Sequence, residues 1–121
     1  MTRERNALEL RVDKEKIIPE LSGDMGEWFG QLGGITHVFP CDKNGGRILN
    51  EFRDAEIVRI QIRTPGGSSG QIYSSKDFRK FKETYCVRDP EDLIGEPVIA
   101  VYTKNHGEAL IGLIPVNLYN I

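Results

Sequence analysis

Between Ile57 and Thr64 the apolar residues Val58, Ile60 and Ile62 alternate with Arg59, Gln61 and Arg63. A period of two is the mark of a strand with one buried face, whereas apolar residues on a helix recur every three or four positions. The tract Thr64-Pro65-Gly66-Gly67-Ser68-Ser69-Gly70 then breaks this strand and reads as a mobile loop, with Gln71-Ile72-Tyr73 returning beside it. Ala7 to Val12 shows the same alternation and is expected to form the first strand. Ile35 to Cys41 reads as another, followed by the turn residues Lys43-Asn44-Gly45-Gly46 and a second arm from Arg47 to Phe52, whose Ile48, Leu49 and Phe52 would also suit a helical turn. Pro97 to Thr103 and Ala109 to Val116 are β-branched and apolar almost throughout, which predicts a closing hairpin buried on both faces.

Two segments carry a helical period instead. Met25, Trp28, Phe29 and Leu32 fall at i, i+3, i+4 and i+7, after Asp24 as N-cap and before Gly33-Gly34 as stop, so the spacing predicts a short helix over 24–32. Gly26 and Gly30 each weaken it by about 1 kcal/mol relative to Ala. A second helix, over 75–85, is capped by Ser74 or Ser75 and carries Phe78, Phe81 and Tyr85 along one side. Asp89-Pro90-Glu91-Asp92 starts a turn or single helical turn that Gly95 ends. The fold class that follows is α+β: a mostly antiparallel sheet or small, partly open β-barrel of about six or seven strands with two short helices, as a single domain over 1–121. The βαβαβ alternation of a dinucleotide-binding fold is absent.

The apolar, charge-free run from Ala109 to Ile121 is interrupted by Gly112, Pro115, Asn117 and Asn120 and is too short for a membrane span, so no membrane association is expected. No apolar leader follows Met1, and the two cysteines, Cys41 and Cys86, form no Cys-x-x-Cys pair. A cytoplasmic protein with reduced thiols is the resulting expectation.

Charge is distributed unevenly. The formal total is −2, yet residues 57–88 hold the cations Arg59, Arg63, Lys76, Arg79, Lys80, Lys82 and Arg88 against Asp77 and Glu83 alone. If the outer face of the 57–64 strand and the second helix share one side, Arg59, Arg63, Lys76, Arg79, Lys80 and Lys82 form a cationic patch for an anionic ligand, nucleic acid or an acidic protein partner. That makes a binding module of unknown ligand the leading reading.

The alternative reading is catalytic. Gly66-Gly67-Ser68-Ser69-Gly70 matches the G-x-S-x-G pattern of a nucleophile elbow, and the order Ser68, then Asp77, Asp89 or Asp92, then His106 is that of an α/β-hydrolase triad. Against it, the chain is about half the length of such a domain, and Gln71-Ile72-Tyr73 delays the helix that should begin at the serine. The same glycine-rich loop, next to Arg63 and ahead of Lys76, is also a place where backbone N–H groups could cradle an anion, though it lacks a Walker ending. No metal site or cofactor is expected: His37, Cys41 and Asp42 do not converge on a strand, and two histidines with two cysteines cannot complete a structural zinc site. A third reading is assembly as a homo-oligomer through the C-terminal strand, whose apolar end Leu118, Tyr119 and Ile121 is left over after the last predicted element.

Overall fold

The computed structural model describes residues 9–10, 17, 28–49, 51–52, 55–103 and 110–116. The alternation at 57–64 gives strand β3 (Ile57–Thr64), with Val58, Ile60 and Ile62 at most 1% exposed and Arg59, Gln61 and Arg63 turned to the other face. Around it lie β1 (Glu9–Leu10), β2 (Trp28–Pro40), β4 (Gly67–Ser74), helix α1 (Ser75–Thr84), a 3₁₀ turn (Pro90–Leu93), β5 (Pro97–Thr103) and β6 (Leu110–Pro115). All pairings are antiparallel, in the order β4-β3-β2-β5-β6, with the two-residue β1 beside β2. The sheet curls so that its two ends approach, and a backbone hydrogen bond joins Leu113 of β6 to the Tyr73 phenol of β4. Among the described residues the result is an α+β half-barrel of five full strands instead of six or seven. Among its described residues, the arm expected at Arg47 to Phe52 pairs as an isolated bridge from Arg47 to Cys41.

The helix expected over 24–32 is corrected at Trp28 to Leu32, which belong to β2; Asp24, Met25, Gly26 and Glu27 lie outside the described residues. The reason is burial on both sides. Phe29 points into the curl and stacks on Tyr102, while Trp28 packs on the opposite face with Ile17, Val101 and Ile114. A strand covered on both faces loses its period of two and can imitate a helical stripe. β2 then changes partner along its length. Trp28 to Gly34 pairs with β5, and Gly34 to Pro40 pairs with β3. At the handover a Cβ on Gly33 would lie 2.5 Å from the Arg63 carbonyl oxygen, so only glycine allows β3 to pass this close.

The 65–70 segment is also corrected. It is not a loop: Pro65 and Gly66 make a tight two-residue turn, and Gly67 to Ser74 runs as β4 in register with β3. Helix α1 follows at once. Ser74 is its N-cap, the Oγ accepting from the Asp77 N–H at 3.2 Å. The helix lays Phe78 and Phe81 on the concave side of the sheet, where they join Val58, Tyr73, Leu93, Val98 and Leu113 in the main core. Tyr85, the C-cap, ties three elements together: its hydroxyl donates to the Pro97 carbonyl at 2.5 Å and accepts from the Val116 N–H at 2.9 Å. The 3₁₀ segment is stitched to β2 by Gly95 N–H to Ile35 O and Ile35 N–H to Glu96 O, at 2.8 and 3.0 Å. β5 and β6 divide their side chains between the main core (Val98, Ala100, Leu113) and the outer cluster (Val101, Ile114), as expected for strands buried on both faces. No helix among the described residues is long and apolar enough to cross a membrane.

Candidate functional site

The sheet separates the six cations that the sequence groups together. Cross-strand partners share a face, so Arg59 opposite Ile72 and Arg63 opposite Ser68 stand on the convex side, while Val58 opposite Tyr73 stands on the concave side under α1. Lys76, Arg79, Lys80 and Lys82 ride on α1. The geometry therefore does not bring the strand arginines to the helix cations. Arg59 lies flat over Gly70, where a Cβ would meet its Nε at 2.5 Å, and that buried Nε has no hydrogen-bond partner among the described residues. On the same side Arg47 stacks over the Phe39 ring at 5.1 Å.

On the helix side a cleft of about 350 Å³ is lined by Phe52, Ala55, Val58, Ser75, Phe78, Arg79, Lys82 and Pro90. Four of these, Ser75, Phe78, Arg79 and Lys82, are spaced i, i+3, i+4 and i+7, which puts them on one stripe of α1. The stripe is mixed in character, so it does not read as an apolar face in the sequence. Phe52 stacks on Phe78 with centroids 6.0 Å apart and rings 16° from parallel, giving the cleft an aromatic wall. The Lys82 ammonium sits over the Phe78 ring at 5.3 Å and donates to the Arg88 carbonyl at 3.4 Å. Neither Arg79 nor Lys82 forms an ion pair with a described carboxylate. The arrangement offers two cations and a hydroxyl around an apolar floor.

Ser68, the expected nucleophile, is exposed within β4 opposite Arg63. A nucleophile elbow needs a sharp strand-to-helix turn at the serine, and here the turn is at Pro65-Gly66 and the helix starts only at Ser75. His106 lies outside the described residues. The described imidazole, His37, is exposed on β2 with Nδ1 3.1 Å from the Thr36 hydroxyl.

Beside the β3–β4 turn the end of the half-barrel opens into a second cavity of about 260 Å³, lined by Phe29, Gln31, Gly66, Gly67, Ser68, Ser69, Tyr102 and Leu110. Gln31 and Tyr102 escape the sequence reading because they come from distant strands, one of them read as helix.

No group of three or more potential ligands that could hold a metal occurs among the described residues. The Asp42 carboxylate accepts from the Asn44 and Gly46 N–H groups at 2.8 and 2.9 Å and so fixes the turn before Arg47. Burial raises the Cys41 thiol above its ordinary value, Asp42 adds to this, and Arg59 opposes it. Cys86 is exposed. Leu118, Tyr119 and Ile121, which carry the assembly reading, lie outside the described residues. No protein-family model matches the chain, and neither the curated proteins nor the solved structures contain a significant match.

Proposed function

We propose that the protein is a non-catalytic binding module whose ligand is an organic anion with a flat apolar body, seated in the cleft between α1 and the 3₁₀ turn. The observation that carries this reading is the placement of Arg79 and Lys82 at the rim of a concave site whose wall is the Phe52–Phe78 stack. An apolar wall with a few convergent polar groups is the general form of a small-ligand site. Two cations without described carboxylate partners favour a carboxylate or sulfonate over a neutral head. The convex arginines, being on the other side of the sheet, have no part in this site.

Titration with naphthoate and its neutral isostere naphthamide, followed by backbone amide shifts, tests the reading. The acid should bind at least about 10-fold more tightly than the amide, a difference of ~1.4 kcal/mol that one charge-assisted contact can supply. Added salt should weaken the acid alone. Arg79→Ala should remove most of the preference and Arg59→Ala none of it. Equal binding of acid and amide would overturn the proposal. Salt-dependent binding of an oligonucleotide that is lost in Arg59→Ala and Arg63→Ala would move the function to the convex face and to nucleic acid.

A further inference from the structure

We infer that the open end of the half-barrel is a second binding site, for a small uncharged ring rich in hydroxyl groups, of the monosaccharide class. Among the described residues, the side chains lining this cavity include no Asp, Glu, Lys, Arg or His. An ionised ligand would therefore give up hydration with no described counter-charge to replace it. Hydrogen-bonding groups, in contrast, are abundant. Gln31 is 7% exposed. Its carboxamide lines the cavity and forms no hydrogen bond with any described residue. A carboxamide brings two donors and an acceptor, and one that lines the cavity can give and take hydrogen bonds with a polar guest.

The hydroxyls beside it are loosely engaged. Tyr102 OH stands 3.4 Å from Thr64 Oγ1 and 3.5 Å from Ser69 Oγ, well beyond the ~2.7–2.8 Å of a strong O–H···O bond. Thr64 is spent elsewhere, accepting from the Gly66 N–H at 3.2 Å and donating to the Gly67 carbonyl at 3.4 Å, so it holds the turn. Tyr102 and Ser69 keep capacity for a ligand that both gives and takes hydrogen bonds. The remaining wall is apolar: Phe29 and Tyr102 stack with centroids 5.6 Å apart, and Leu110 lies beside them. A pyranose has this dual character, with a rim of hydroxyls and a C–H face that packs on a ring. The volume, about 260 Å³, falls under the ~300 Å³ at which drug-sized pockets begin, and so suits one ring.

The test is an amide-shift titration of the full chain with glucose, galactose and myo-inositol, with acetate as the charged comparison. At least one of the three should shift the Gly66, Gly67, Ser68 and Ser69 amides saturably with a dissociation constant of ~1–10 mM, and acetate should leave them unmoved. Ser69→Ala and Tyr102→Phe should each weaken binding about 3- to 10-fold, the range of one neutral hydrogen bond. Gln31→Ala should abolish it. If Gln31→Ala does not fold, the other two variants decide the question. No saturable shift with any of the three rings, equal shifts with acetate, or unchanged binding in both Ser69→Ala and Tyr102→Phe would overturn the inference. These amides are distinct from those of residues 75–82, so failure here leaves the anion cleft unaffected.

Discussion

Replacing Tyr85 by Phe removes a single oxygen that joins α1, β5 and β6. The ring itself should stay, packed against Phe81 with centroids 5.3 Å apart and only 6% exposed. What is lost is one bond to the Pro97 carbonyl and one from the Val116 N–H. Each of these part-buried backbone groups, left unpaired, costs ~1–2 kcal/mol, the lower part of the range for buried groups, so the variant should be ~2–4 kcal/mol less stable at neutral pH. The pH dependence gives a second, independent measure. Burial, with Glu96 adding and the Val116 N–H opposing, raises the Tyr85 phenol well above its ordinary value of 10.0. Above pH ~10 the unfolded chain therefore releases this proton while the folded chain keeps it. The unfolded state then binds fewer protons, and stability falls as pH rises, by up to ~1.4 kcal/mol per pH unit for each such phenol. Tyr73, also raised by burial, contributes a second. The wild type should thus lose up to ~2.7 kcal/mol per pH unit above pH ~10, and Tyr85→Phe about half that. Urea unfolding followed by circular dichroism from neutral to alkaline pH measures both quantities. A variant within ~0.5 kcal/mol of wild type at neutral pH, or one with an unchanged alkaline slope, would refute the reasoning.

The adjacent glycines of β2 should behave oppositely. Gly33→Ala drives a Cβ against the Arg63 carbonyl and should cost ~3 kcal/mol or more, whereas a Cβ on Gly34 would meet nothing within 4 Å, so Gly34→Ala should stay within ~0.5 kcal/mol of wild type; thermal unfolding of the pair checks this. Ser74→Ala removes the N-cap bond to Asp77 and should lower stability by ~1 kcal/mol, read as a shift in urea midpoint without a change of slope. Under native conditions iodoacetamide should label exposed Cys86 and spare Cys41, which is buried and has a raised thiol pKa. Equal labelling of both would show that the edge around Cys41 opens readily.

Legibility in the sequence followed burial. β3 is readable because one of its faces meets the core and the other bears Arg59, Gln61 and Arg63. α1 and its cap are readable for the same reason, with Phe78 and Phe81 on one side. The first half of β2 is not, since Trp28 and Phe29 are taken up by different clusters on opposite faces. β4 is hidden more deeply. Its Gly67-Ser68-Ser69-Gly70 start has little strand propensity, and it becomes a strand because the two-residue turn returns it onto β3, with Gly70 making room for Arg59. Of the cleft, Arg79 and Lys82 could be named from charge, but Phe52, Ala55 and Pro90 reach it only through the tertiary fold.

The partner change along β2 also has a consequence for the growing chain. Its second half finds β3 after a short interval, but Trp28 pairs with Thr103 and Gly34 with Pro97, so its first half waits for more than sixty further residues. At ~5–20 residues per second, that is ~3–12 s during which Trp28, Phe29 and Leu32 are synthesised but have no β5 to lie against. Apolar strand residues left unpaired in this way are aggregation-prone, and a ribosome paused before Pro97 would prolong the interval.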